Sequence, residues 1–136
     1  MSGNIYKNVI LNQRGLHQVN NATLSIIASE LLDKEGFIIS ENSIREGLSK
    51  VSIPCRFESI YKNDKSFILD GAHTVKSAKF TKQTFKEFYQ SKKVPIIYGS
   101  KKNKNVKEIL LALTEIASDF FFTEIPGIGS CSPEYL

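Results

Sequence analysis

The chain has 136 residues, 41% apolar and 24% charged, with a net charge of +4, ordinary composition for one soluble globular core. No run approaches the roughly 18 consecutive apolar residues of a membrane helix. The opening MSGNIYKN has no signal-peptide core, so the cytoplasm is the expected compartment and the two distant cysteines, Cys55 and Cys131, are expected to stay reduced.

Residues 6–11, YKNVIL, alternate and predict a short strand. HQVNNATLSIIASELLDKEG follows, with apolar residues at 19, 22, 24, 26, 27, 28, 31 and 32, and predicts a long helix closed by Gly36. Ser40 is a candidate N-cap for a second helix, with Glu41 in its first turn and Ile44, Leu48 and Val51 on one face before Pro54 stops it. RFESIY, KNDK and SFILD then read as strand, turn and strand, an antiparallel hairpin.

Residues 75–90 space Val75, Ala78, Phe85 and Phe88 as a helix would, and VPIIYG is a buried-strand candidate. Asn105 with Glu108 predicts a capping box for a helix through Ile109, Leu110, Leu113 and Ile116, and DFFFTEI predicts a strand. From residue 66 the order strand, helix, strand, helix, strand predicts a parallel sheet with right-handed crossovers. At the end, SCSPEYL carries a helix-start signal at Ser132 and Pro133 with only about one turn to follow, which suggests an incomplete domain.

Four clusters place polar residues where a plain core does not need them. Gly15, His17, Gln18 and Asn21 stand at the start of the long helix, where free N–H groups suit an anion or a nucleotide, or where Asn or His closes the first turn. Arg56, near Glu58, offers a planar fork for phosphate or an ordinary surface pair. Asp70, Gly71 and His73 end an apolar run, either as a ligand-facing loop beyond a strand or as a helix cap. Gly99 gives a turn, and Lys101, Lys102 and Lys104 face phosphate or solvent. The basic cluster SKKNKNVK lacks interleaved aromatics, and no G-x-G-x-x-G follows a strand, so neither a nucleic-acid surface nor a dehydrogenase is expected.

In order along the chain these strings are GLHQVNNA at 15–22, PCRFE at 54–58, DGAHT at 70–74 and YGSKKNKN at 98–105. Together they resemble the C-terminal part of the folylpolyglutamate and dihydrofolate synthases of the Mur ligase superfamily, whose corresponding motifs are G-x-H-Q-x-x-N-A, P-G-R-x-E, D-G-A-H-N and a later Gly- and Lys-containing loop. Gln18 and Gly71 resemble the folate branch; the peptidoglycan branch typically has Asn after the His and Tyr before the Ala-His.

The resemblance implies an ATP-dependent amide ligase that adds L-glutamate to a folate or dihydropteroate through an acyl phosphate, with Mg²⁺ bridging phosphates. It implies an α/β fold: a Rossmann-like, mostly parallel sheet with flanking helices and an antiparallel hairpin at 53–136, preceded at 1–52 by a helical tail of the central ATPase domain. It places Gln18 and Asn21 at the adenine, Arg56 at the ATP phosphates, Asp70 at the ribose, His73 near the reacting phosphate as the catalytic residue, and Lys104 in the later loop.

The sequence departs from the pattern at Cys55 for Gly, Thr74 for Asn and Asn105 for Asp. A positive φ at residue 55 would cost a non-glycine about 1 kcal/mol. No G-x-x-x-x-G-K-[ST] string occurs, so this chain alone is expected to be inactive, with the P-loop and Mg²⁺ ligands in a domain it does not contain. The alternative is a non-catalytic nucleotide-binding or protein-interaction module paired with a separate chain that supplies the ATPase half; neither reading involves nucleic acid or a membrane.

Overall fold

The computed structural model describes residues 4–136, which fall into two compact units meeting in sequence between Leu69 and Asp70. The first holds α1 (Leu16–Lys34), α2 (Glu41–Lys50), and a hairpin of β1 (Glu58–Lys62) and β2 (Lys65–Leu69). The second holds α3 (Val75–Tyr89), β3 (Val94–Tyr98), α4 (Val106–Leu113), β4 (Ala117–Phe122) and a 3₁₀ turn at Pro133–Tyr135. The fold is α/β, with one parallel strand pair and one antiparallel hairpin.

In the first unit the expected strand at 6–11 does not form. Asn8 sits in the left-handed region at φ 57, which breaks the extended run, and the polar groups of this segment turn to α2. Arg45 donates to Lys7 O at 3.0 Å, Asn12 N–H to Leu48 O at 3.2 Å, and Asn12 Nδ2 to Val51 O at 3.0 Å. Ser40 caps α2 by accepting from Ser43 N–H at 3.1 Å. α1 ends where glycine was expected to end it, with Gly36 at φ 97. Its apolar residues do not form one buried stripe: they occur all round the helix, and Leu24 and Leu31 are 65% and 56% exposed.

The hairpin pairs Glu58 with Leu69 through Lys62 with Lys65. Asn63 and Asp64, both at positive φ, make the two-residue connection whose twist matches the strands. Among the described residues β2 pairs with β1 alone, so it does not lead the parallel sheet as the order of elements implied. A strand whose partner is two residues away in sequence closes with almost no loop entropy, which favours that pairing over a distant parallel one.

In the second unit β3 and β4 are parallel and α4 is the crossover between them. The register slips between Val94 and Pro95, whose ring cannot donate to the ladder. α4 presents Val106, Ile109, Ala112 and Leu113 to the interior and packs with α3, which contributes Ala78, Thr84 and Phe85. Ile109 and Ala78 are wholly buried.

Lys82 and Lys86 of α3 both pair with Glu115, just beyond α4. The hydrogen bond from Lys82, then that from Lys86, holds the Glu115 carboxyl down at about 2. Because the folded value lies below the ordinary 4.5, the stability this contact contributes is present above pH 4.5 and is lost as pH falls through about 2. Glu115→Gln is therefore expected to flatten the melting temperature against pH between about 4.5 and 2, with the difference from the parent shrinking in high salt because the pair is exposed.

Candidate functional site

The first unit has a half-open cavity of about 450 Å³ whose lining includes Gln13, Gln18, Asn21, Ile44, Gly47 and Arg56. Three of the sequence-predicted site residues, Gln18, Asn21 and Arg56, thus share one cavity, although 35 positions separate Arg56 from Asn21 (56 − 21 = 35). Their convergence comes from local geometry. Gln18 and Asn21 stand three residues apart on α1 and so project from one face. Asn21 Nδ2 donates to Gln18 Oε1 at 2.9 Å.

Gln18 is 3% exposed, and its Nε2 is buried with no hydrogen-bond partner. A buried amide left unpaired is costly, and native interiors keep few of them. The N-cap of α1 is Gly15, at φ 101, which has no side chain to close the first turn.

Arg56 is held on a strained turn. Cys55 and Phe57, its neighbours on both sides, have φ of 55 and 50, and the sparsely populated left-handed conformation at two non-glycine residues is a marker of a constrained site. The positive φ at residue 55 is the condition under which the cysteine there is expected to cost energy, and the structure meets it. Glu58 contributes by accepting from Cys55 N–H at 2.8 Å, so its carboxylate pins the turn that presents Arg56.

In the second unit Asp70, Gly71 and His73 form the approach to α3. Asp70 Oδ1 accepts from Ala72 N–H at 2.8 Å and from Thr81 Oγ1 at 3.1 Å, which fixes the carboxylate across the first turns of the helix. His73 is exposed, with Nδ1 2.9 Å from Gly71 O. The cap of α3 is Thr74, not Asp70. Thr74 Oγ1 accepts from Ser77 N–H at 3.1 Å, and Ser77 Oγ accepts from Thr74 N–H at 3.0 Å, a reciprocal capping box. Thr followed three positions later by Ser was the signal available in the sequence.

Lys104 lies in the loop after β3. Its N–H donates to Lys101 O at 3.1 Å, and Val106 N–H donates to Lys104 O at 2.9 Å. This tight winding displaces the predicted capping box: Asn105, at ψ 71, makes no side-chain cap for α4. The glycine-rich segment GIGS gives the loop its footing, with Lys102 N–H donating to Gly129 O and Cys131 N–H to Ser100 O, each at 2.8 Å. Among the described residues no three His, Cys, Asp or Glu side chains come together to hold a metal ion, and no helix is long and apolar enough to cross a membrane.

No protein-family model matches the sequence. The chain is 30% identical over 118 residues to the dihydrofolate synthase/folylpolyglutamate synthase of Bacillus subtilis strain 168, covering 86% of this chain and 27% of that protein. The crystal structure of folylpolyglutamate synthase from Thermotoga maritima superposes with a TM-score of 0.74 at 31% identity, over 93% of this chain and 29% of that one. The Mycobacterium tuberculosis folylpolyglutamate synthase complexed with ADP has the same fold, with a TM-score of 0.84 at 23% identity over 96% of this chain and 28% of that one. The chain thus spans under a third of the length of the proteins it matches. By sequence and by fold it is a relative of the folylpolyglutamate/dihydrofolate synthases, corresponding to the C-terminal portion of that family.

Proposed function

We propose that this chain provides one part of the ATP site of a ligase that joins L-glutamate to a folate or dihydropteroate. The single observation that carries the reading is the cavity shared by Gln18, Asn21 and Arg56, with its unpaired buried amide. Support comes from the relatives. A bifunctional synthase of this fold is described with Mn, AMPPNP and L-glutamate bound, and the Escherichia coli protein with DHPP and ADP.

In this reading the Gln18–Asn21 amide pair meets the adenine, and the Arg56 guanidinium neutralises phosphate charge. Asp70 faces the ribose, and His73 and Lys104 serve the reacting end. Residues 1–52 belong with the ATPase half and 53–136 with the C-terminal domain. The reaction has two steps. A substrate carboxylate oxygen bonds to the γ-phosphorus as the bond to the β-phosphate oxygen breaks, releasing ADP. The glutamate amine then attacks the acyl carbon, loses its proton and expels phosphate.

Positioning and charge neutralisation are what a protein contributes to the first of these steps. A divalent metal would supply charge neutralisation at the phosphates when bound; among the described residues no three His, Cys, Asp or Glu side chains come together to hold one, and no residue of this chain is assigned to it. The P-loop motif is not among the 136 residues, and by this reading the chain alone binds nucleotide without turning it over in the cytoplasm.

The test is an equilibrium titration of the 136-residue chain with ATP. Arg56→Ala removes an exposed side chain, leaves helix content unchanged, and is expected to weaken ATP binding about 10- to 100-fold by loss of a charged hydrogen bond. Equal affinity of parent and variant would count against Arg56 as a phosphate ligand. No binding by the parent at millimolar ATP would count against the nucleotide site itself.

A further inference from the structure

Gln13 stands outside every motif that the sequence singles out, yet it lines the same cavity as Gln18 and Asn21. Its Nε2 is buried and has no hydrogen-bond partner. The neighbouring Gln18 is in the same condition for a definite reason: its Oε1 is already occupied by Asn21 Nδ2 at 2.9 Å, so the orientation of its amide is fixed and Nε2 is left as a donor.

Gln13 and Gln18, which both line this cavity, thus each carry a buried amide donor without a partner, beside apolar residues such as Ile44 and Leu48 and the basic Arg56. Unmade hydrogen bonds of this kind are the costly member of the pair of states, and native interiors keep few of them. A ligand that relieves both must present two acceptors on an otherwise largely apolar body. A purine base meets that description through its ring nitrogens, and it leaves the cavity's one basic side chain, Arg56, to a phosphate attached to it.

Resting on the nucleotide reading above, we infer that Gln13 is a second base-reading residue, its amide nitrogen donating to one purine ring nitrogen while Gln18 donates to another. The inference adds a contact that the motif positions do not contain, and it makes the loop before α1, not only the helix itself, part of base recognition.

The experiment uses the full chain titrated with ATP and with its 1-deaza, 3-deaza and 7-deaza analogues, each lacking one ring-nitrogen acceptor. Gln13→Leu is titrated with the same four ligands. One analogue is expected to bind the parent about tenfold more weakly than ATP does, and to bind Gln13→Leu no more weakly than ATP does, because the lost acceptor and the lost donor belong to one hydrogen bond.

On the parent chain labelled with ¹⁵N, the Gln13 side-chain N–H₂ signal is expected to shift with ATP and to stay in place with that analogue, a readout independent of whether the variant folds. Deaza penalties that are the same in parent and variant, with an unmoved Gln13 signal, overturn the inference while leaving the nucleotide site standing. Absence of any ATP binding by the parent overturns both.

Discussion

Ile109→Ala is expected to lower the stability of the chain by about 2–5 kcal/mol, the range for truncating a large aliphatic side chain in a closed core. Ile109 has no exposed surface and sits in the middle of α4, the helix that packs with α3, so the space left by three lost carbons has no solvent route to fill it. Two positions further along the same helix, Leu111 is 58% exposed. Leu111→Ala, which likewise introduces the better helix former, is expected to change stability by no more than about 0.5 kcal/mol. Urea denaturation of the three proteins measures the contrast. The midpoint should fall for Ile109→Ala with little change in slope, and it should hold for Leu111→Ala. Similar midpoints for both variants would mean that α4 does not bury the face described here.

Gly99→Ala is expected to cost about 1–3 kcal/mol, through overpacking and not through a disallowed backbone angle. A methyl at this position would lie 2.8 Å from Ile125 Cγ2 and 2.9 Å from Thr123 O. The first of these neighbours can rotate away; the second is main chain and is tied into the ladder, since Thr123 N–H donates to Tyr98 O at 3.0 Å. The glycine is thus needed for the close passage of the segment after β4 beside the end of β3. Its backbone lies outside the left-handed range, which separates it from Gly127 and Gly129 in the neighbouring loop, at φ 117 and 82. Thermal melting checks the size of the effect. A variant as stable as the parent would show that the segment at 123–125 yields freely.

These two positions also show how far the sequence could be read. The helix through Ile109 was legible because its apolar spacing has the helical period and a single buried side. Gly99 was legible as a break after a strand, but the reason for it was not. The sequence suggests a turn, and the structure shows a tight contact with a backbone 24 residues away (123 − 99 = 24), which no local pattern encodes. The same limit applies to residues 6–11. Their alternation is real, but a strand needs a partner, and Asn8 together with the bonds to α2 takes the segment out of sheet pairing. For the hairpin the partner is adjacent, and there the alternation and the Asn63–Asp64 turn were enough.

At the site, Gln18, Asn21 and Arg56 were legible only as members of ordered motifs, because three weak polar signals gain force from their succession. Gln13 was not legible. A glutamine in a loop before a helix has no distinctive spacing, and its interest lies in a buried nitrogen that only coordinates reveal. Glu58 was noticed as a neighbour of Arg56, but its work, holding Cys55 N–H so that the arginine is carried between two left-handed residues, depends on backbone angles. Thr74 was read as a departure from a family asparagine, and it proves to be the residue that starts α3.

The most direct measurement is a crystal structure of the chain soaked or grown with a non-hydrolysable ATP analogue. The account predicts an ordered purine in the cavity of the first unit, within about 3 Å of the Gln18 or Asn21 amide, with the phosphates extending to the Arg56 guanidinium. An ordered nucleotide elsewhere on the molecule, with this cavity empty at saturating ligand, would contradict it.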